Sequence, residues 1–111
     1  MDSLSDYRSI IRDLIRDYAR YEPSVGDVRT EVIFDEANDH YELVHTGWIG
    51  DRRVHGSVLH IDIRDGRVWI EHNGTEDAIG TKLVEAGIPR DKIVLGFQPP
   101  EARRHTGFAA V

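Results

Sequence analysis

Apolar residues recur at spacings of three and four along the start of the chain, at Leu4, Tyr7, Ile11, Leu14, Tyr18 and Tyr21. That spacing gathers them on one face of an α-helix. Ser3 and Asp6 precede the pattern in capping-box spacing, where a hydroxyl and a carboxylate can satisfy amides that no helical carbonyl reaches. Pro23 stops the helix, because proline has no amide donor and its ring clashes with the preceding turn, and Gly26-Asp27 supplies the next bend.

From residue 28 to residue 73 the apolar period becomes two, with turn-forming residues at 36–39, 49–51 and 65–66. Four antiparallel strands follow. Asp65-Gly66 is the firmest turn, since a two-residue type I′ turn needs positive φ at both central positions. It sets Arg64 opposite Arg67, Ile63 opposite Val68, Asp62 opposite Trp69, Ile61 opposite Ile70 and His60 opposite Glu71. A three-residue loop at 50–52 aligns Leu43 with Leu59 and Tyr41 with Ile61, a match that a two-residue loop would break. The first hairpin pairs Phe34 with Tyr41 and Val32 with Leu43. One face then carries Val28, Val32, Phe34, Tyr41, Leu43, Leu59, Ile61, Ile63, Val68 and Ile70 and must be covered.

The first helix can cover it, together with a second that starts near Thr75, buries Ile79, Leu83 and Ala86, and ends at Gly87 with Pro89 beyond. Residues 92–97 read as a short strand stopped by Pro99-Pro100, and the remaining residues as an ordered arm. The expectation is one α+β domain over residues 1–111: N-terminal helix, four-stranded antiparallel meander sheet, second helix, short C-terminal strand and arm.

Composition narrows the function. The chain has 111 residues, 40% of them hydrophobic and 31% charged, which suits a single self-folding domain. It has no cysteine, so disulfides and thiolate metal sites are excluded. The start is not that of a signal peptide and no apolar run approaches the ~20 residues that span a bilayer, so a cytoplasmic protein without membrane attachment is expected. Fourteen Lys and Arg against twenty Asp and Glu give a net charge of −6, which disfavours direct sequence-specific DNA binding and suits docking on a basic partner.

The sheet face opposite the core collects Val44, Trp48, Val54, Val58, His60, Asp62, Trp69 and Glu71 in these registers. Two tryptophans among hydrogen-bonding groups have the composition of a protein interface, and coverage by the C-terminal arm is the alternative. His60, Asp62 and Glu71 converge there and have the chemistry to hold a divalent metal or transfer protons, yet the same spacing arises from strand alternation alone. His40, His45, His55, His72 and His105 show no helical pairing that adds to such a site. The chain lacks HExxH, P-loop and GxSxG motifs, so no catalytic residue, metal or cofactor is assigned. Arg8, Arg12, Arg16 and Arg20 form a basic stripe on the first helix, bordered by Asp13 and Asp17, that reads as a salt-bridged surface with phosphate or acidic-partner docking as the alternative.

With these residues placed, the chain resembles the XisI family, the controlling factors for excision of the fdxN element in cyanobacteria. The matching segments include Tyr21-Glu22-Pro23-Ser24, Ile33-Phe34-Asp35-Glu36, Val44-His45-Thr46-Gly47-Trp48, Arg53-Val54-His55-Gly56, Asp65-Gly66-Arg67-Val68-Trp69-Ile70 and Ile93-Val94-Leu95-Gly96-Phe97. The resemblance implies an accessory role in programmed DNA excision while a separate recombinase exchanges strands, with an XisH-like, endonuclease-like protein as partner. It carries over no catalytic residue. The expected function is therefore regulatory protein binding through the Trp48/Trp69 face, with a homodimer also compatible. The rival is a small metal- or ligand-dependent enzyme using His60, Asp62 and Glu71.

Overall fold

The computed structural model describes residues 3–111, with side chains from residue 4 onward. The hydroxyl half of the expected capping box, at Ser3, lies outside the described side chains. Helix α1 (Ser3–Ala19) is followed by strands β1 (Asp27–Asp35), β2 (His40–Ile49), β3 (Arg52–Arg64) and β4 (Arg67–Asn73), then helix α2 (Ile79–Ala86) and strand β5 (Ile93–Leu95). Two short 3-10 turns, Arg90–Lys92 and Pro100–His105, flank the last strand. The sheet order is β1-β2-β3-β4-β5, antiparallel throughout the meander and parallel where β5 joins β4. The α+β expectation holds, and the short C-terminal strand joins the main sheet.

The helices pack on one face. Tyr7, Ile11 and Ile15 of α1 are buried against Tyr41, Leu43, Leu59, Ile61 and Ile70, with Ile79 and Leu83 of α2 completing the layer. Each fully buried Ile or Leu contributes about 1.5–3 kcal/mol, so this layer carries most of the stability. The expected stripe is right in period and off in membership. Ile15 belongs to it, whereas Tyr21 lies past the end of α1 and is 66% exposed. The helix stops four residues short of Pro23, and the amides of Arg20 and Tyr21 bond back to Asp17 and Tyr18 carbonyls.

The second helix also starts later than Thr75. Asn73 Oδ1 accepts hydrogen bonds from the Thr75 amide and hydroxyl, and Asn73 Nδ2 donates to the Asp77 carbonyl, so these side chains hold a turn before α2 begins. Ala86 faces solvent, and Gly80 is buried in its place. A Cβ at Gly80 would come within 2.8 Å of the Phe108 ring, so the missing side chain lets the C-terminal arm lie on α2.

The hairpin registers expected around the core are present, with a bulge in β2–β3 and another in β3–β4. Phe34 pairs with Tyr41, Tyr41 with Ile61 and Leu43 with Leu59. The β2–β3 turn has two residues, with Ile49 opposite Arg52, and the core pairing survives because the register shifts between Leu43 and Val44, where Val44 meets Ser57. Val58 is the extra residue. Asp65 and Gly66 have the expected positive φ values of 55° and 76°. Beyond Ile61–Ile70 the β3–β4 register shifts, so His60 faces His72 instead of Glu71. Sequence alternation cannot reveal an inserted residue when compensating turns give the same core alignment.

The core ends at the first bulge. Its buried cluster takes Tyr41 and Leu43 from β2 and Leu59, Ile61 and Ile63 from β3, and nothing from residues 44–57. The remaining lengths of β1, β2 and β3 project as a three-stranded end, giving the molecule extents of 46 × 30 × 24 Å. Val32, expected inside, is 39% exposed although it pairs with buried Leu43.

Candidate functional site

The outer sheet face divides into two regions. Trp48 pairs with Arg53 and Trp69 pairs with Asp62, positions nine residues apart on β3, which separates the tryptophans by about 30 Å. They form no common patch. Val54, opposite Gly47 and so in line with Val28, lies on the other face, and the bulged Val58 packs against the core. Val44 stays on the outer face opposite Ser57.

At the helix-covered end, Trp69 is enclosed within the chain. Guanidiniums lie over its ring from Arg64, at 3.9 Å, and from Arg103 of the C-terminal arm, at 5.2 Å. Arg103 also donates to the carbonyls of Gln98 at 3.1 Å and Val111 at 2.9 Å, fixing the arm across this corner. The Ala109 amide donates to the Ile93 carbonyl along the β5 edge. Coverage by the arm therefore holds for Trp69 and not for Trp48, which is 47% exposed.

Between these regions sits a polar cluster different from the expected one. Nε2 of His60 lies 2.8 Å and Nδ1 of His40 lies 3.0 Å from the same Asp62 oxygen, Oδ1. Asp62 is the buried charged residue of the described chain. Glu71 is elsewhere, paired with Arg64 at 3.1 Å. His40 was legible: the register that sets Tyr41 opposite Ile61 also sets His40 opposite Asp62. Hydrogen bonding to Asp62, and then its charge, holds the His40 imidazolium above the ordinary histidine pKa. The His40, His60 and Asp62 ligand atoms lie within 4.8 Å of one another, close enough to share a metal ion.

Arg8, Arg12, Arg16 and Arg20 do line α1, but their partners come mostly from β1 and the β1–β2 turn. Arg8 holds both Asp39 oxygens, at 2.8 and 3.1 Å, and Arg12 reaches Glu36 at 3.0 Å. Arg16 lies over the Phe34 ring at 5.1 Å. Only Arg20 uses one of the expected helix aspartates, Asp17, at 2.7 Å. The stripe fastens α1 to the β1–β2 turn. Arg8 holds the Asp39 carboxyl below its usual pKa range, while burial and the Asp39 hydrogen bond raise the Tyr41 phenol.

The projecting end has the opposite character. Among the described residues, β4 reaches only Leu59–Arg64 of β3, leaving residues 52–57 of β3 with an unpaired edge. Trp48 and Val25 are exposed there, and Arg53 lies over the Trp48 ring at 5.3 Å. A cavity between α2 and β4–β5, about 190 Å³, is lined by groups such as Ile70, Leu95, Phe97 and Phe108 and by no titratable side chain. No helix among the described residues is long and apolar enough to cross a membrane.

This architecture recurs in known proteins. An XisI-like protein from Anabaena variabilis ATCC 29413 has a similar structure, with a TM-score of 0.93 at 35% identity, covering 98% of this chain and 100% of that one. The fdxN element excision controlling factor XisI from the same organism gives a TM-score of 0.88 at 37% identity, covering 99% and 100%. No curated protein matches the chain. The XisI protein family model matches residues 1–110, in step with the helix, the five-stranded sheet and the arm just described, and the chain belongs to the XisI family.

Proposed function

We propose that this chain is a non-catalytic regulator of DNA excision that docks the Trp48 end of its sheet on an XisH-like, endonuclease-like protein. The excision role rests on the family and on the relative named as an excision controlling factor. The docking role rests on one observation: past Leu43 and Leu59 the sheet runs on beyond the main buried cluster, burying only Val28 of its large apolar side chains, with Trp48 exposed and the β3 edge at residues 52–57 unpaired. Strand length that contributes nothing to the core exposes apolar area and open backbone groups, which a partner can bury and pair. The chain's net charge of −6 complements a basic nucleic-acid-binding surface on that partner.

Trp48 and Val44 remain the contact residues of this reading. Trp69 and Asp62 act within the fold, since the arm encloses one and two histidines surround the other. Val58 supports the core, and Glu71 holds Arg64. The test is binding of the XisH-like protein encoded by the same genome, measured calorimetrically with wild type and with Trp48→Ser. Loss of a central aromatic anchor costs roughly 2 kcal/mol or more, so affinity should fall at least thirtyfold while the melting transition stays in place. Unchanged affinity in a folded Trp48→Ser protein refutes docking through this end.

A further inference from the structure

We propose that His40, His60 and Asp62 form a binding site for a zinc-type divalent transition metal, clamping β2 to β3 on the outer face. The donor set is two imidazoles and one carboxylate, which suits zinc with a fourth position left for water or a partner's side chain. The spacing suits it as well. Tetrahedral ligands about 2.0–2.1 Å from zinc stand about 3.3 Å apart, and both histidine nitrogens already lie 2.8–3.0 Å from Asp62 Oδ1. Small side-chain rotations separate the donors enough to admit the ion.

The backbone holds this set ready. Asp62 is 7% exposed on β3, so its carboxylate has few alternative positions. His40 is 56% exposed at its side chain, but its neighbours are fixed. The Asp39 carboxylate is held by Arg8 and by the Tyr41 hydroxyl, the Asp39 carbonyl accepts from the Ile63 amide at 3.0 Å, and Tyr41 is fully buried. On the β4 side the Arg64 and Arg103 guanidiniums lie over Trp69, opposite Asp62, and on the β1–β2 side the neighbours are acidic. Asp35 is paired with His40 and Glu42 with His60 in the sheet, adding two carboxylates to the same face. Burying a carboxylate beside two imidazoles costs desolvation energy that a bound cation offsets, whereas a purely structural position would be served by apolar side chains.

The test uses tag-free, chelator-treated protein titrated with Zn²⁺ by calorimetry and followed by thermal melting. Wild type should bind one equivalent saturably and melt at a higher temperature with the metal. His40→Gln removes a ligand from an exposed position and should retain the fold. Because losing only an outer partner of a metal ligand costs 10–100-fold, His40→Gln and His60→Gln should each weaken binding by roughly 100-fold or more. His55→Gln and His105→Gln, which alter histidines outside the cluster, should bind as wild type does. Binding that is absent, non-saturating, or insensitive to both His40→Gln and His60→Gln overturns the site.

Discussion

The two ends of the β2–β3 hairpin are built from similar alternating sequence and are covered differently. At one end Tyr41, Leu43, Leu59 and Ile61 lie beneath two helices, with β4, β5 and the arm extending the sheet. At the other, residues 44–57 continue the same strands past the core, with Trp48 exposed and one edge unpaired. The bulge between Leu43 and Val44 marks the change. Apolar alternation by itself does not identify a core face; what lies over it decides whether a large side chain is buried or stays exposed.

Substitutions should separate the ends. The largest stability effect is expected from Leu59→Ala or Ile11→Ala, each leaving a cavity in the fully buried layer and costing about 2–5 kcal/mol in denaturant unfolding. Trp48→Ser should change unfolding stability by no more than about 1 kcal/mol, and an equal loss at Trp48 and Leu59 would erase the distinction.

Gly47→Ala sharpens it from the backbone side. A Cβ at Gly47 would lie 2.0 Å from the Asp27 carbonyl oxygen and 2.7 Å from the Val28 Cα, so the start of β1 must move away from β2. The expected cost is about 1–3 kcal/mol, with faster amide exchange at residues 27–31 and 45–49 and unchanged protection in the core strands.

Arg103→Ala should release the C-terminal arm by removing its bonds to the Gln98 and Val111 carbonyls and its contact with Trp69. A loss of about 1–2 kcal/mol and a red-shifted Trp69 emission are expected. Measuring it in a Trp48→Phe background isolates that signal.

The smallest effect tests the link between α1 and the β1–β2 turn. Asp39 has a folded pKa below its ordinary 3.8, so the Arg8 pair favours folding above that pH and its contribution disappears as pH falls through the lowered value. Arg8→Met should melt a few degrees lower than wild type at pH 7, and the gap should close as pH falls through the lowered Asp39 pKa. A constant gap would mean that Arg8 acts by packing alone.

Much of this architecture was readable where side-chain period and turn chemistry agree. Asp65-Gly66 located the β3–β4 turn, and Tyr41–Ile61 located the core register. The bulges were not readable, because a two-residue turn with a bulge aligns Leu43 with Leu59 just as a three-residue loop would. That ambiguity misplaced Val54 and Val58, and the separate bulge between His60 and Ile61 took Glu71 out of line with His60. It also obscured the polar cluster, although His40 was available from the same register as Tyr41. The separation of the two tryptophans required the length of β3, and the partners of the arginine stripe required knowing that α1 lies along the β1–β2 turn.

The central claim, that one end of the sheet folds the protein and the other binds its partner, is tested most directly by amide hydrogen exchange with and without the XisH-like protein. Slowed exchange is expected across residues 44–57, with the arm at residues 96–109 unaffected. Protection confined to the arm or to α1, with residues 44–57 exchanging as in the free protein, would contradict it.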